Sequence, residues 1–366
     1  MDKFLNSKKE KILRKVLYSY TKNGKDASIV IGRKRVPKID ISIIIAAYNS
    51  EKFISEALKS AISQDYSGEI EVFISYDRGT KDKTLEKIIE FISKNEIKPN
   101  ITIKILFHDY LTLFRDKIFS IENSYGEYIT FLDSDNIIFK NKLKEQVNIL
   151  ISKNLHFVFS DSNVIDEKGK ILKEHFQKVP KNYFSIWRNL TSGYIDLTSI
   201  MFDRYFYKRY LRPAFYLLKD IFWDDTLEDY FITLIATASG NIYYYDKVLQ
   251  SYRFRFDSTT AHNVKDKDYK WFIKAIKNSD HTLKALEAFL YVNSKLHFVN
   301  NQKVMYLRFI DDKYNVVSLQ HPIKNLIKES DKMPIRLMKA GLYTFIFSIK
   351  LTIKHVLAGF KFKLKK

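Results

Sequence analysis

Four short apolar runs, each closing on a polar loop, constrain the fold of this chain more than any other feature. The first is Ile39-Asp40-Ile41-Ser42-Ile43-Ile44-Ile45, and Ala46-Ala47-Tyr48-Asn49-Ser50 turns away from it. The second, Ile70 to Tyr76, ends in Asp77-Arg78-Gly79-Thr80-Lys81-Asp82. Ile101 to Leu106 is the third, and Tyr128-Ile129-Thr130-Phe131-Leu132 is the fourth, stopping at Asp133. Short β-branched runs of this kind read as buried strands. Between them, Phe53, Ile54, Ala57, Leu58, Ala61 and Ile62 recur at helical spacing, and Thr84 to Ile92 does the same. Asn49 or Ser50 is the expected cap of the first helix. Strand, loop, helix and strand again means parallel βαβ units. Such crossovers are right-handed, and ligands bind at the carboxyl ends of the strands. The loops at 46–50, 77–82 and 133–136 are therefore expected to converge on one crevice.

Later elements carry weaker signals. Phe157 to Ser160 and Ile242 to Tyr245 read as strands, and residues 226–238 as a helix. From about Asp268 the periodicity is mainly helical. The expected class is α/β: a doubly wound, mostly parallel sheet with flanking helices, plus a helical C-terminal region. Three parts follow: a basic amphipathic segment at 1–37, a catalytic domain at 38–262, and a mainly helical region at 263–366 with a basic amphipathic end.

Composition narrows the partners. The 366 residues carry a net charge of +20, concentrated at the two ends. Residues 1–38 hold twelve Lys or Arg against Asp2, Glu10 and Asp26, a balance of +9. Residues 321–366 hold eleven against Glu329 and Asp331, again +9. That leaves +2 for the middle, where a nucleic-acid enzyme would be basic around its site; no nucleic acid is expected. Residues 4–20 form an amphipathic pattern, as do Leu342, Phe345, Ile346, Ile349, Ile353, Val356, Leu357 and Phe360. Either stripe suits an anionic membrane surface, or packing on the domain or against a second copy in a homo-oligomer. No secretory signal or confident membrane span stands out, so the expected location is cytoplasmic, peripheral on the inner face of the membrane. Cysteine is absent, which excludes disulfides and thiolate metal sites.

Three loops could carry chemistry. Asp133 and Asp135 flank Ser134 just past a buried strand, and two carboxylates at i and i+2 can face one metal. A turn whose side chains cap the next helix would look the same. Asp224-Asp225-Thr226-Leu227-Glu228-Asp229 opens a helix, where acids are favoured by the dipole. One of them could instead be a general base. Tyr252-Arg253-Phe254-Arg255-Phe256 alternates cations with aromatics, either as an edge strand or as a contact to phosphate or to the catalytic acid.

Together these segments resemble the family 2 glycosyltransferases, inverting enzymes of the GT-A fold. Ile41 to Asn49 is similar to the family's opening V-S-V-I-I-P-T-Y-N, and Glu56 to Tyr66 to its E-A-L-x-S-V-L-x-Q-x-Y helix. Asp77 to Thr84 resembles D-D-G-S-x-D-x-T, and Arg115-Asp116 an A-R-N element ahead of Gly126-Glu127-Tyr128-Ile129. Asp133 to Asn136 resembles D-x-D-D, Glu228-Asp229 the E-D pair, and Tyr252-Arg253 with Ser258 the pattern Y-R-x-H-x-x-S. Arg78, Ala46, Asn136 and Asp116 depart from these patterns. Arg78 stands where an acid commonly reads a uracil, so the resemblance does not imply a uridine donor.

What the resemblance implies can be assigned by residue. Ala47 and Tyr48 would pack on the base, Asp77 would hold the base or ribose, and Arg115 and Ser134 would lie near the nucleotide. Asp133 would touch ribose or metal, and Asp135 would ligate Mg²⁺ or Mn²⁺. Asp229 would be the general base, with Glu228 and Arg253 orienting acceptor or phosphates. The implied substrates are a nucleotide-diphosphate sugar and a hydroxyl of a glycan or lipid-linked acceptor. Two other readings remain: a non-catalytic glycan- or membrane-binding protein on a decayed transferase scaffold, and a sugar-nucleotidyltransferase. The second of these would place a glycine-rich phosphate loop after the first strand, where Ala46-Ala47-Tyr48-Asn49 has no glycine.

Overall fold

The structure is a computed structural model and describes residues 10–11, 27–31, 38–109, 111–176, 195–218, 228–239 and 242–255. The amphipathic patterns at both ends, the 224–227 acids and the helical C-terminal region lie outside them, apart from residues 10 and 11.

The four apolar runs form β2 (Ile41–Ala47), β3 (Ile70–Asp77), β4 (Ile101–His108) and β5 (Tyr128–Phe131). They lie in the order β4-β3-β2-β5, all parallel. Helices α1 (Ile54–Ile62), α2 (Thr84–Lys94) and α3 (Leu113–Asn123) make the crossovers. β3 and β4 are buried along their whole length, so both faces are covered and the aliphatic runs need no polar alternation. Burial of a single Ile such as Ile43 or Ile74 contributes roughly 1.5–3 kcal/mol. The chain steps outward from β2 to β3 and β4, then returns to β2's other side as β5. That reversal is the topological switch point where α/β sheets bind ligands.

The return to β2 depends on one glycine. A Cβ on Gly126 would sit 2.3 Å from the Ser42 backbone nitrogen, closer than any side chain allows. The Gly126 N–H donates to Ser42 Oγ at 2.8 Å, and Ser42 Oγ donates to Glu71 at 2.6 Å. Arg204 closes the same corner, donating to the carbonyls of Gly126, Ile121 and Ser124.

Beyond β5 the sheet becomes mixed. The path continues β9 (Ile200–Asp203), β7 (Phe157–Ile165), β10 (Ile242–Arg253) and β6 (Ile137–Ile138). β7 and β10 are parallel to each other, whereas β9 is antiparallel to both β5 and β7. β8 (Ile171–Lys173) pairs antiparallel with β7. At the opposite edge β1 (Ala27–Ile31), from the basic segment, pairs antiparallel with β4. The parallel block thus matches expectation, and antiparallel strands extend it on both sides. The remaining helices are α4 (Lys142–Lys153), α5 (Arg204–Phe206), which runs through a π-helical turn at Tyr207–Leu211 into α6 (Arg212–Leu218), and α7 (Glu228–Ser239).

The expected cap of α1 is corrected. Its N-cap is Phe53, with no side-chain bond. Asn49, at φ 45°, instead accepts the Lys81 N–H, and Ser50 supplies its carbonyl to Phe53 and Ile54. Both side chains serve the neighbouring loops, because the turn that follows β2 is long enough to carry them past the helix axis.

Candidate functional site

The site begins where β5 stops short. Phe131 pairs with Ile44, and β2 continues three residues further, to Ala47. Asp133-Ser134-Asp135-Asn136 turns into that notch, closed by the Asn136 N–H on the Asp133 carbonyl at 3.0 Å. β6 then pairs with β10 at Ile138–Gln250 and Ile137–Ser251. This pairing carries Arg253 and Arg255 up to the acidic turn.

The three loops converge as expected. Ser134 Oγ lies 2.6 Å from Ser50 Oγ, Ser50 N–H donates to Thr84 Oγ1 at 2.6 Å, and Glu51 N–H donates to Asp82 at 2.9 Å. In the loop after β3, Asp77 accepts the Gly79 N–H at 2.6 Å. Tyr48, 51% exposed, stands over Gly79 with a face open to a planar ligand. Ala47 does not share that role: it is 1% exposed and part of the core, so its side chain has no face for a base. Arg78 pairs with Asp109 at 3.3 Å, beside the buried cluster of His108, Asp116 and Ser75. Burial lowers the His108 pKa, but the hydrogen bond and charge of Asp116 and the Asp109 carbonyl outweigh it, and the net direction is up.

Each acid of the turn faces a cation. Lys117, almost fully buried, places Nζ 3.7 Å from Asp133 Oδ1 and 5.3 Å from the Phe131 ring centroid. Arg115 was the expected neighbour of the nucleotide; it lies half-buried in the first turn of α3, its N–H held by Thr112. Lys117 is the α3 cation that reaches the turn. Asp135 Oδ2 sits 3.0 Å from Arg255 Nε. Burial, then the charge of Asp133, pushes the Asp135 carboxyl up to about 6 against the pull of Arg255. A carboxylate so strained by its neighbour is one a divalent cation would relieve, so Asp133 and Asp135 fit Mg²⁺ or Mn²⁺ as hard oxygen donors. Among the described residues no group of three or more metal-ligating side chains forms. Among the described residues the turn thus brings two carboxylates, a provision that suits a metal whose shell is completed by phosphates of a substrate.

Arg253 is 2% exposed and its guanidinium is engaged by protein. It donates to the carbonyls of Asp135 (2.8 Å), Asp166 (3.1 Å) and Glu167 (2.9 Å), and to Glu56 (2.6 Å), and lies 4.5 Å from the Phe53 ring centroid. Its backbone N–H donates to Asn136 Oδ1 at 2.8 Å. Arg253 thus ties the acidic turn, the β7–β8 turn and α1 together, where the sequence suggested an orienter of phosphates or acceptor.

α7 packs on α3 through Phe114 and Phe231, with ring centroids 4.7 Å apart. Its first turn holds Glu228 and Asp229. Burial pushes Glu228 up to about 6, Lys117 opposes this, and Asp133 and Asp116 add to it. Glu228 therefore stands in the field of the Asp133–Lys117 pair. Asp229 is half-buried, and its carbonyl accepts Thr233 Oγ1 at 2.7 Å.

Sequence reasoning missed Thr198 and Lys117, and named Arg255 only within its segment, without a role of its own. Thr198 Oγ1 accepts from Asn136 at 2.9 Å and the Asp133 N–H at 3.3 Å, from a 3₁₀ turn (Leu197–Ser199) that carries no motif. Arg255 was visible: it stands at the His of Y-R-x-H-x-x-S.

Residues 42–211 match the family model "Glycosyl transferase family 2". Over this span the chain is similar to the family 2 glycosyltransferases. An uncharacterized glycosyltransferase of Haemophilus influenzae is 31% identical over 136 residues, 36% of this chain and 51% of that protein. The match thus spans about half of the Haemophilus glycosyltransferase. Escherichia coli WfgD, named UDP-Glc:alpha-D-GlcNAc-diphosphoundecaprenol beta-1,3-glucosyltransferase, is 24% identical over 235 residues, 63% of this chain and 83% of WfgD. The crystal structure of S. aureus TarS 1-349 in complex with UDP-GlcNAc aligns with TM-score 0.46 at 17% identity, covering 83% of this chain and 91% of that one. The family 2 span begins one residue inside β2 and ends with the π-helical turn, so it contains the acidic turn, Lys117 and Tyr48 but neither Asp229 nor Arg253.

Proposed function

We propose that this family 2 glycosyltransferase moves a sugar from a nucleotide-diphosphate donor to a hydroxyl of a glycan or lipid-linked acceptor, with inversion at the anomeric carbon. The observation that carries the reading is the convergence of three strand-end loops on Asp133-Ser134-Asp135, with Glu228 of α7 in the field of Asp133 and Asp229 next to it in the chain. The printed name of WfgD, with a diphosphoundecaprenol-linked acceptor, supports a lipid-linked acceptor here. Among the described residues no helix is long and apolar enough to cross a membrane. The basic ends would bring the protein to the cytoplasmic face.

In this reading Tyr48 stacks on the base and Asp77 accepts from base or ribose. Asp133 and Asp135 would hold Mg²⁺ or Mn²⁺, which when bound offsets charge on the leaving diphosphate. Lys117 adds a fixed cation behind Asp133. Arg253 holds the Asp135 carbonyl, so that the turn presents its carboxylates without reorganising. Asp229 takes the proton from the acceptor hydroxyl as that oxygen attacks the anomeric carbon.

A screen of nucleotide sugars with Mn²⁺, reading released nucleoside diphosphate, identifies the donor. Asp229→Asn should then lower transfer by about 10²–10⁴-fold, the usual weight of base catalysis, with nucleotide affinity nearly unchanged. Normal turnover in that variant would remove Asp229 as the base. A product of retained anomeric configuration would sink the single displacement.

A further inference from the structure

We propose that Arg255 is a resident counter-ion of Asp135 that competes with a divalent cation for the same carboxylate oxygen, and so weakens metal binding by the donor-free protein. The inference rests on the reading of Asp135 as a metal ligand.

Arg255 Nε lies 3.0 Å from Asp135 Oδ2, with both side chains three-quarters or more shielded from solvent. Its guanidinium also lies over Phe53, 5.6 Å from the ring centroid, which fixes its approach to the acid. Asp133 is meanwhile matched by Lys117 at 3.7 Å. The two charges of the turn therefore have two protein cations facing them. A divalent ion reaching Oδ2 must take the place of a guanidinium already there, and two cations cannot share one oxygen without repulsion.

The neighbouring arginines differ in this respect. Arg253 spends its donors on three backbone carbonyls and Glu56, acceptors that a metal does not seek. Arg255 lies two residues past the end of β10, and it faces the carboxylate itself. Once displaced, its planar fork suits the oxygens of a diphosphate. Arg255 would then hold Asp135 in the resting protein and leave it when donor and metal arrive together.

The test is Mn²⁺ binding to the full chain without donor, followed by the electron paramagnetic resonance signal of free Mn²⁺. Arg255→Gln should bind Mn²⁺ about tenfold more tightly than the wild type, the order expected for removing one nearby cation at partial burial. Arg255→Lys, which keeps the charge, should stay close to the wild type, and its melting temperature guards against a folding effect. Asp135→Asn should lose the binding. Tight binding lost in Asp135→Asn but unchanged or weaker in Arg255→Gln would overturn the competition while leaving Asp135 as ligand. Equal binding by wild type and Asp135→Asn would overturn both, because the metal would then sit elsewhere.

Discussion

On the β4-β3-β2-β5 side Ile, Val and Phe side chains dominate the burial beside small polar clusters such as Ser42–Glu71, whereas the β9-β7-β10 side adds to its buried Phe157, Phe159 and Phe202 a larger network of hydroxyls, amides and charges. Ile43, Ile74, Val72 and Ile103 are fully enclosed with apolar neighbours. Across β5 the enclosed groups include Ser160, Ser162, Gln250, Asp196, Lys142 and Gln146. Gln250 donates to the Asp161 carbonyl at 2.6 Å and Ser162 Oγ at 2.8 Å, Ser162 Oγ donates to Asp196 at 2.8 Å, and Lys142 donates to Thr130 at 2.9 Å. One half relies more on apolar volume, the other more on linked hydrogen bonds, and the acidic turn sits on the seam. The lesson is where tolerance lies. The loops after β2 and β3 rest on a core that accepts apolar exchange, while the far side fixes its part of the site through directional contacts.

Arg253→Ala is the strongest way to break that contrast. It removes the donor to three carbonyls and to the half-exposed Glu56, and with each charge-assisted hydrogen bond worth about 1.5–3 kcal/mol the loss should exceed about 3 kcal/mol. Denaturant unfolding should show that loss. Arg253→Lys should recover only part, because an ammonium cannot span the same acceptors. A loss below about 1 kcal/mol, the level of an exposed pair, would mean the far side is not held this way.

Lys142→Met sharpens the comparison through pH. Burial pushes Lys142 down to about 7, with Asp196 opposing. Between about pH 7 and its ordinary 10.5 the unfolded chain holds a proton there that the folded chain lacks. Stability from this group therefore rises with pH across that window. Asp196, pushed up to about 7 first by burial and then by the charge of Asp133, acts in the opposite sense. It is protonated in the folded state between its ordinary 3.8 and about 7, so stability falls as pH rises there. Wild-type stability should thus be lowest near pH 7, and Lys142→Met should remove the alkaline rise, of order 2–4 kcal/mol. An unchanged slope in thermal melts from pH 7 to 10 would refute the buried neutral lysine.

The smallest effects come from a reciprocal pair. Val72→Thr puts a hydroxyl among aliphatic side chains, and Thr130→Val removes one that donates to the Ile200 carbonyl at 2.6 Å. Each should cost about 1–3 kcal/mol, for opposite reasons. If either substitution is neutral, the division between the halves is less sharp than the packing indicates.

How much the sequence determined follows the same division. Ile41–Ile45, Ile70–Tyr76, Ile101–Leu106 and Tyr128–Phe131 were legible because parallel strands buried on both faces need continuous apolar runs. Their order implied the crevice, and Asp133, Ser134, Asp135, Tyr48 and Asp77 lie in the loops that converge there. β9 and the Asp196–Ser199 turn were not legible. Buried polar residues look like surface until their partners are known, and those partners lie 30 or more positions away along the chain. The tertiary structure alone decided that Arg253 locks the acidic turn, that Lys117 rather than Arg115 reaches Asp133, and that Arg255 meets Asp135. Spacing along a chain reports which side of a strand or helix a residue occupies. Which charge meets which is settled by the pairing of β6 with β10 and of α3 with the end of β5, through contacts that local periodicity does not encode.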